Sequence, residues 1–176
     1  MLIPESVTFE EAIALTKSLL SQQEAGELSQ QEAGDAIAQL VKTANGARGF
    51  FVTYLTSEGT VADNPSPDVI QALQSSPDTV AELLVKNLAM SAAMAVTHRR
   101  NGDEQNAQGS DRVRMRTLRL IEQIELPQVH EIALALREST VTGAGTYKTF
   151  LQTWGYDAEQ RQIISQVLDR VLPTVK

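Results

Sequence analysis

A chain of 176 residues with 42% apolar content can bury one substantial hydrophobic core. Its net charge of −7 sets up a field that repels polyanions before any local patch can act, which disfavours nucleic acid and anionic lipid as partners. The absence of cysteine excludes disulfides, thiolate metal sites, cysteine nucleophiles and thioether-linked cofactors.

The N-terminal Met1-Leu2-Ile3-Pro4-Glu5-Ser6 has no basic stretch followed by an apolar one, so a cytoplasmic address is expected. Thr8-Phe9-Glu10-Glu11 reads as a capping box, with Phe9, Ile13, Thr16 and Leu20 recurring at helical spacing up to about Ala25. The hexapeptide Ser-Gln-Gln-Glu-Ala-Gly occurs at 21–26 and again at 29–34. In the first copy Gly26 ends a helix; in the second Ser29 and Glu32 start one. That second helix carries Ala33, Ile37, Leu40, Val41 and Ala44 on one face, and Asn45-Gly46 is expected to close it.

Residues 50–55, Phe-Phe-Val-Thr-Tyr-Leu, are ambiguous between strand and helix. The nearest strand partner, Thr60-Val61-Ala62, would give only an isolated hairpin, so a helix is expected. Ser66-Pro67-Asp68 and Ser76-Pro77-Asp78 repeat one helix-start signal, a serine cap with proline at the first position and an acid in the first turn. They predict a short helix over 67–75 and a long one over 77–99. The longest charge-free run in the long helix is the twelve residues from Asn87 to His98, short of the roughly 18 needed to cross a bilayer, so no membrane span is expected.

A polar loop follows, and Ser110-Asp111 is expected to open a helix ending at Leu126-Pro127. Pro127 starts another that reaches about Ser139. Gly143-Ala144-Gly145 breaks the chain, Tyr147, Phe150, Leu151 and Trp154 share a helix face read as core, and Gly155 stops that helix. Asp157 with Gln160 caps the last helix, whose stripe is Ile163, Ile164, Val167, Leu168 and Val171. These elements predict an all-α chain, a single domain over 1–176 built as a bundle of about seven to eight helices around the central helix 77–99.

Some polar residues fall where a plain core would not place them. Projected at about 100° per residue, helix 77–99 has an apolar arc around most of its circumference, with Asn87, Ser91 and His98 near the arc's middle. Either they hydrogen-bond within the bundle and cap its end, or they line a small pocket for a polar or anionic ligand. Arg114 projects at the border of the next helix's apolar stripe and needs a carboxylate or a bound anion; Asp111 is the nearest partner, with Arg99 and Arg100 across the loop. Arg112, Arg116 and Arg119 project together and read as a solvated face, which could contact nucleic acid only weakly. His98 and His130 lie in no metal-binding spacing, there is no phosphate-binding loop beyond the weak Gly143-Ala144-Gly145-Thr146, and no nucleophile elbow occurs. No catalytic residue, metal or cofactor is therefore predicted.

Asn45-Gly46-Ala47-Arg48-Gly49-Phe50-Phe51-Val52 and Leu84-Val85-Lys86-Asn87-Leu88-Ala89-Met90-Ser91 are similar to a family of small, conserved cyanobacterial proteins of unknown function. The likeness extends through Ser110-Asp111-Arg112-Val113-Arg114 and Trp154-Gly155-Tyr156. The resemblance implies a photosynthetic bacterial cytoplasm and carries no catalytic residues across. The expected function is non-enzymatic, through association with another protein or with itself; the alternative is a small-ligand module using Asn87, Ser91, His98 and Arg114.

Overall fold

The computed structural model describes residues 1–173. Among them nine α-helices follow one another: α1 Phe9–Glu24, α2 Gln30–Leu40, α3 Ala44–Thr56, α4 Pro67–Gln74, α5 Pro77–Arg100, α6 Glu104–Ile124, α7 Pro127–Thr142, α8 Lys148–Trp154 and α9 Ala158–Asp169. Val61–Asp63 is a 3-10 turn, and no strand occurs among the described residues, so the chain is all-α, as expected. Two units are distinguishable: Met1–Leu83 with Gln123–Glu125, and Leu84–Glu122 with Leu126–Lys176.

In the first unit α1 packs along α3, and α2 packs on α4. The capping boxes form as their sequences predict. Thr8 Oγ1 accepts from Glu11 N at 3.1 Å while the Glu11 carboxylate accepts from Thr8 N at 2.8 Å; Ser29 and Glu32 do the same, and the Ser29 hydroxyl, donating to the Glu32 carboxylate at 2.7 Å, together with Ser29 N holds the Glu32 carboxyl below its ordinary range. Residues 50–55 are helical, and Phe50 stacks on Tyr54 with 5.0 Å between ring centroids.

Asn45-Gly46 does not close α2. That helix ends at Leu40, Thr43 caps α3 by accepting from Gly46 N at 3.1 Å, and Gly46 lies in α3's first turn. The glycines here serve close approach rather than a turn. A Cβ on Gly46 would lie 2.0 Å from the Leu40 carbonyl oxygen, and one on Gly49 would lie 2.5 Å from Ala12 Cβ and 2.8 Å from the Phe9 carbonyl oxygen. Bare backbone at Gly49 lets α1 and α3 touch.

Helix α5 has the apolar surface its sequence predicts. Val80, Ala81, Leu84, Val85, Leu88, Ala89, Ala92, Ala93 and Ala95 are all buried. By length and mean hydropathy alone α5 would qualify as a membrane span, but 56% of that window is buried inside the protein, as in a core helix.

The second unit departs from expectation at its first turn. Helix α6 starts at Glu104, six residues before the expected Ser110, because Asp103 caps it: Asn106 N donates to Asp103 Oδ1 at 3.1 Å and Asn106 Nδ2 donates to Oδ2 at 2.6 Å. The α5–α6 turn is only Asn101-Gly102-Asp103, with Gly102 in the left-handed region at φ +70°. Helix α7 runs one turn past Ser139 to Thr142 and packs on α9. Tyr147, just before α8, and Leu151 within it are buried, whereas Trp154 is 52% exposed, so the aromatic stripe is core only in part.

Candidate functional site

The end of α5 is tied down by charge on two sides. Arg99 Nη2 lies 2.6 Å from Asp111 Oδ2 and 3.2 Å from Glu104 Oε1, and these carboxylates, Asp111 first, hold its guanidinium firmly in the charged form. Arg100 grips the N-terminus of α9 through Asp157, at 2.5 Å, and Glu159. The same guanidinium is the leading cause that lowers the Asp157 carboxyl below its ordinary range, with the cap bond from Gln160 N adding to it. One turn away Gln160 Nε2 donates to Ala93 O at 3.2 Å and to Thr97 Oγ1 at 2.9 Å, so a single amide caps α9 and holds it against α5.

The four residues singled out by sequence are placed within this frame. Ser91 is buried and its hydroxyl donates to the Leu88 carbonyl at 3.1 Å, which satisfies it inside its own helix. Asn87 and His98 are half-buried, and the His98 carbonyl accepts from Asn101 N and Asp103 N in closing α5. Arg114 Nη2 lies 2.9 Å from Asp111 Oδ1, the expected ion pair, with contact angles outside hydrogen-bond geometry. Among the described contacts Arg114 is linked through Asp111 to Arg99, and not to Asn87, Ser91 or His98.

The arginine face of α6 is not solvated. Arg116 is 2% exposed, Arg112 and Arg119 are half-buried, and all three are engaged within the protein. A guanidinium that deep survives only if paired, so Arg116 belongs to the interior and the three do not form an open strip for phosphates. In that stretch of α6 the exposed side chain is Met115. The projection placed the three on one face correctly, but polarity did not identify which face met water.

Helix α7 exposes apolar side chains on its outer face, a feature its sequence signals by spacing alone. Its inner face buries Val129, Ala133, Leu136, Ser139 and Thr140. On the outside Leu134 is 49% and Val141 67% exposed, seven residues apart on one line with the exposed Pro127. A groove of about 690 Å³ runs beside this line, lined by Leu134, Leu172 and Pro173 and bordered by His130, Glu131, Arg137 and Asp169. Arg137 Nε bonds Asp169 across the groove, tying α7 to α9. No cluster of three or more metal-ligating side chains occurs among the described residues.

Residues 8–171 match the model of a family described as uncharacterised conserved protein UCP020893. No curated protein and no solved structure matches the chain.

Proposed function

The chain belongs to that family, and from its own surface chemistry we propose that it is a non-enzymatic helical protein that acts by binding another polypeptide through the outer face of α7. The observation that carries this reading is the exposed apolar line of Leu134 and Val141 beside a groove lined by Leu172 and Pro173 together with side chains of both charges. An apolar centre within a charged border is the anatomy of a protein-binding patch, where a few anchors supply most of the free energy. A cytoplasmic, cyanobacterial setting is part of the proposal, supported by the cysteine-free composition and the sequence resemblance.

The experiment is a capture from native cell extract with immobilised wild-type protein beside the Leu134→Asp/Val141→Asp double variant. The proposal expects specific partners on the wild type that are lost from the variant. Identical captured sets would overturn it.

A second reading has one specific observation in its favour: the guanidinia of Arg99 and Arg114 converge on the single carboxylate Asp111. A small anion displacing that carboxylate would bind between Arg99 and Arg114. It is tested by thermal shift with anionic metabolites. A shift in the wild type that disappears in Arg114→Ala supports it, and no shift with any anion rejects it.

A further inference from the structure

The charge pattern around the α7 line restricts what can lie against it. Projected at about 100° per residue, Pro127, Leu134 and Val141 form a narrow spine, His130 and Arg137 lie along one side of it, and Glu131 and Glu138 along the other. All of these side chains are exposed except Arg137, whose side chain keeps 37% of its exposure. One flank carries two carboxylates and the other an imidazole and the Arg137 cation, which is paired with Asp169; the spine between them is apolar.

The geometry points to a second copy of this chain, its α7 parallel to the first, as the occupant of this face. This inference rests on the reading of α7 as a binding surface. A two-fold axis running along the helices sets opposite flanks against each other. Glu138 of the second copy then comes level with Arg137, and Glu131 of the second copy with His130, each pair occurring twice, while Leu134 and Val141 meet their own counterparts. Asp169 occupies Nε of Arg137, and a guanidinium has further N–H donors for a second carboxylate. A two-fold axis across the helices would make them antiparallel and set like flanks together, crowding both copies' Glu131 and Glu138 on one side. Like charges at such range repel, so the sense of pairing follows from charge. Helix α7, at 16 residues, is about 24 Å long, and a seam of that length buries less than the roughly 1,200 Å² of stable complexes; the dimer is therefore weak and concentration-dependent.

The natural absence of cysteine makes a direct test available, since any disulfide must join introduced thiols. Light scattering from micromolar to millimolar concentration should show the mass rising towards a dimer, and Leu134→Asp and Val141→Asp should each hold it at the monomer. Under mild oxidation Val141→Cys should form a disulfide dimer about tenfold faster than Gln108→Cys, an exposed control on α6, because docking raises the local thiol concentration. A mixture of Leu134→Cys and Val141→Cys proteins should give mostly like-with-like disulfides. Predominance of the mixed disulfide would mean antiparallel pairing and overturn the inference, as would a monomer throughout the concentration range. A monomer that still captures a partner in a Leu134-dependent way defeats only the second-copy inference; loss of both results defeats the underlying reading as well.

Discussion

Replacing Gly49 by alanine tests the packing of α1 against α3 in the first unit. The added methyl would lie 2.5 Å from Ala12 Cβ and 2.8 Å from the Phe9 carbonyl oxygen, neither of which is the free end of a flexible side chain. Accommodating it requires α1 and α3 to separate, and overpacking of this kind costs about 1–3 kcal/mol. Alanine's helix propensity returns about 1 kcal/mol, so the net effect runs from near zero to about 2 kcal/mol of destabilisation. Gly109 supplies the control. It lies inside α6 with no heavy atom within 4 Å of its would-be Cβ, so Gly109→Ala keeps the propensity gain and should stabilise by about 0.5–1 kcal/mol. Thermal unfolding followed by circular dichroism separates the two, at about 2–4 °C per kcal/mol for a chain of this size. A melting temperature for Gly49→Ala equal to or above that of Gly109→Ala would refute the claim that bare backbone is what lets α1 and α3 meet.

Three further outcomes follow from the second unit. Tyr156 is 6% exposed, its hydroxyl is buried without a hydrogen-bond partner, and burial pushes its phenol up to about 12 from 10.0. Tyr156→Phe should therefore match or exceed the wild type in chemical denaturation by up to about 1 kcal/mol, and a loss greater than that would reveal a partner for the hydroxyl. Because the folded value lies above the unfolded one, stability is complete below pH 10 and falls as pH rises towards 12; an alkaline unfolding series should show that loss in the wild type and less of it in Tyr156→Phe. Asp157 has the opposite sign. Its lowered value means its contribution is present above the ordinary aspartate range and is lost as pH falls through the folded value, and in a carboxyl NMR titration Arg100→Gln should move Asp157 upward. Gln160→Glu would set a carboxylate against the Ala93 carbonyl and should destabilise by about 1–3 kcal/mol in urea unfolding, whereas a neutral result would mean that the amide does not join α9 to α5.

Helix boundaries were legible where side chains themselves make the boundary. Thr8 with Glu11, Ser29 with Glu32 and Asp157 with Gln160 all cap as their spacing indicates. Signals whose meaning depends on a distant neighbour were not legible. Asn45-Gly46 has the composition of a helix end, yet Gly46 is glycine because the Leu40 carbonyl leaves no room for a side chain. Ser110 resembles a cap, but Asp103 had already started the helix and Gly109 is tolerated inside it. The candidate residues divide in the same way. The pairing of Arg114 with Asp111 is local and was readable three residues away, whereas the burial of Arg116 and the exposure of Trp154 depend on which neighbours cover each helix face, and no helical projection contains that information. The line of Pro127, Leu134 and Val141 was present as a seven-residue spacing, but only the burial of the opposite face of α7 shows that it points outward.

Amide hydrogen exchange, compared between dilute and concentrated protein and again with any captured partner, addresses α7 most directly. The proposal predicts added protection in α7 and slower exchange near Leu172 in the associated samples, with no such change in Leu134→Asp. Protection that appears elsewhere while α7 exchanges identically in every sample would contradict it.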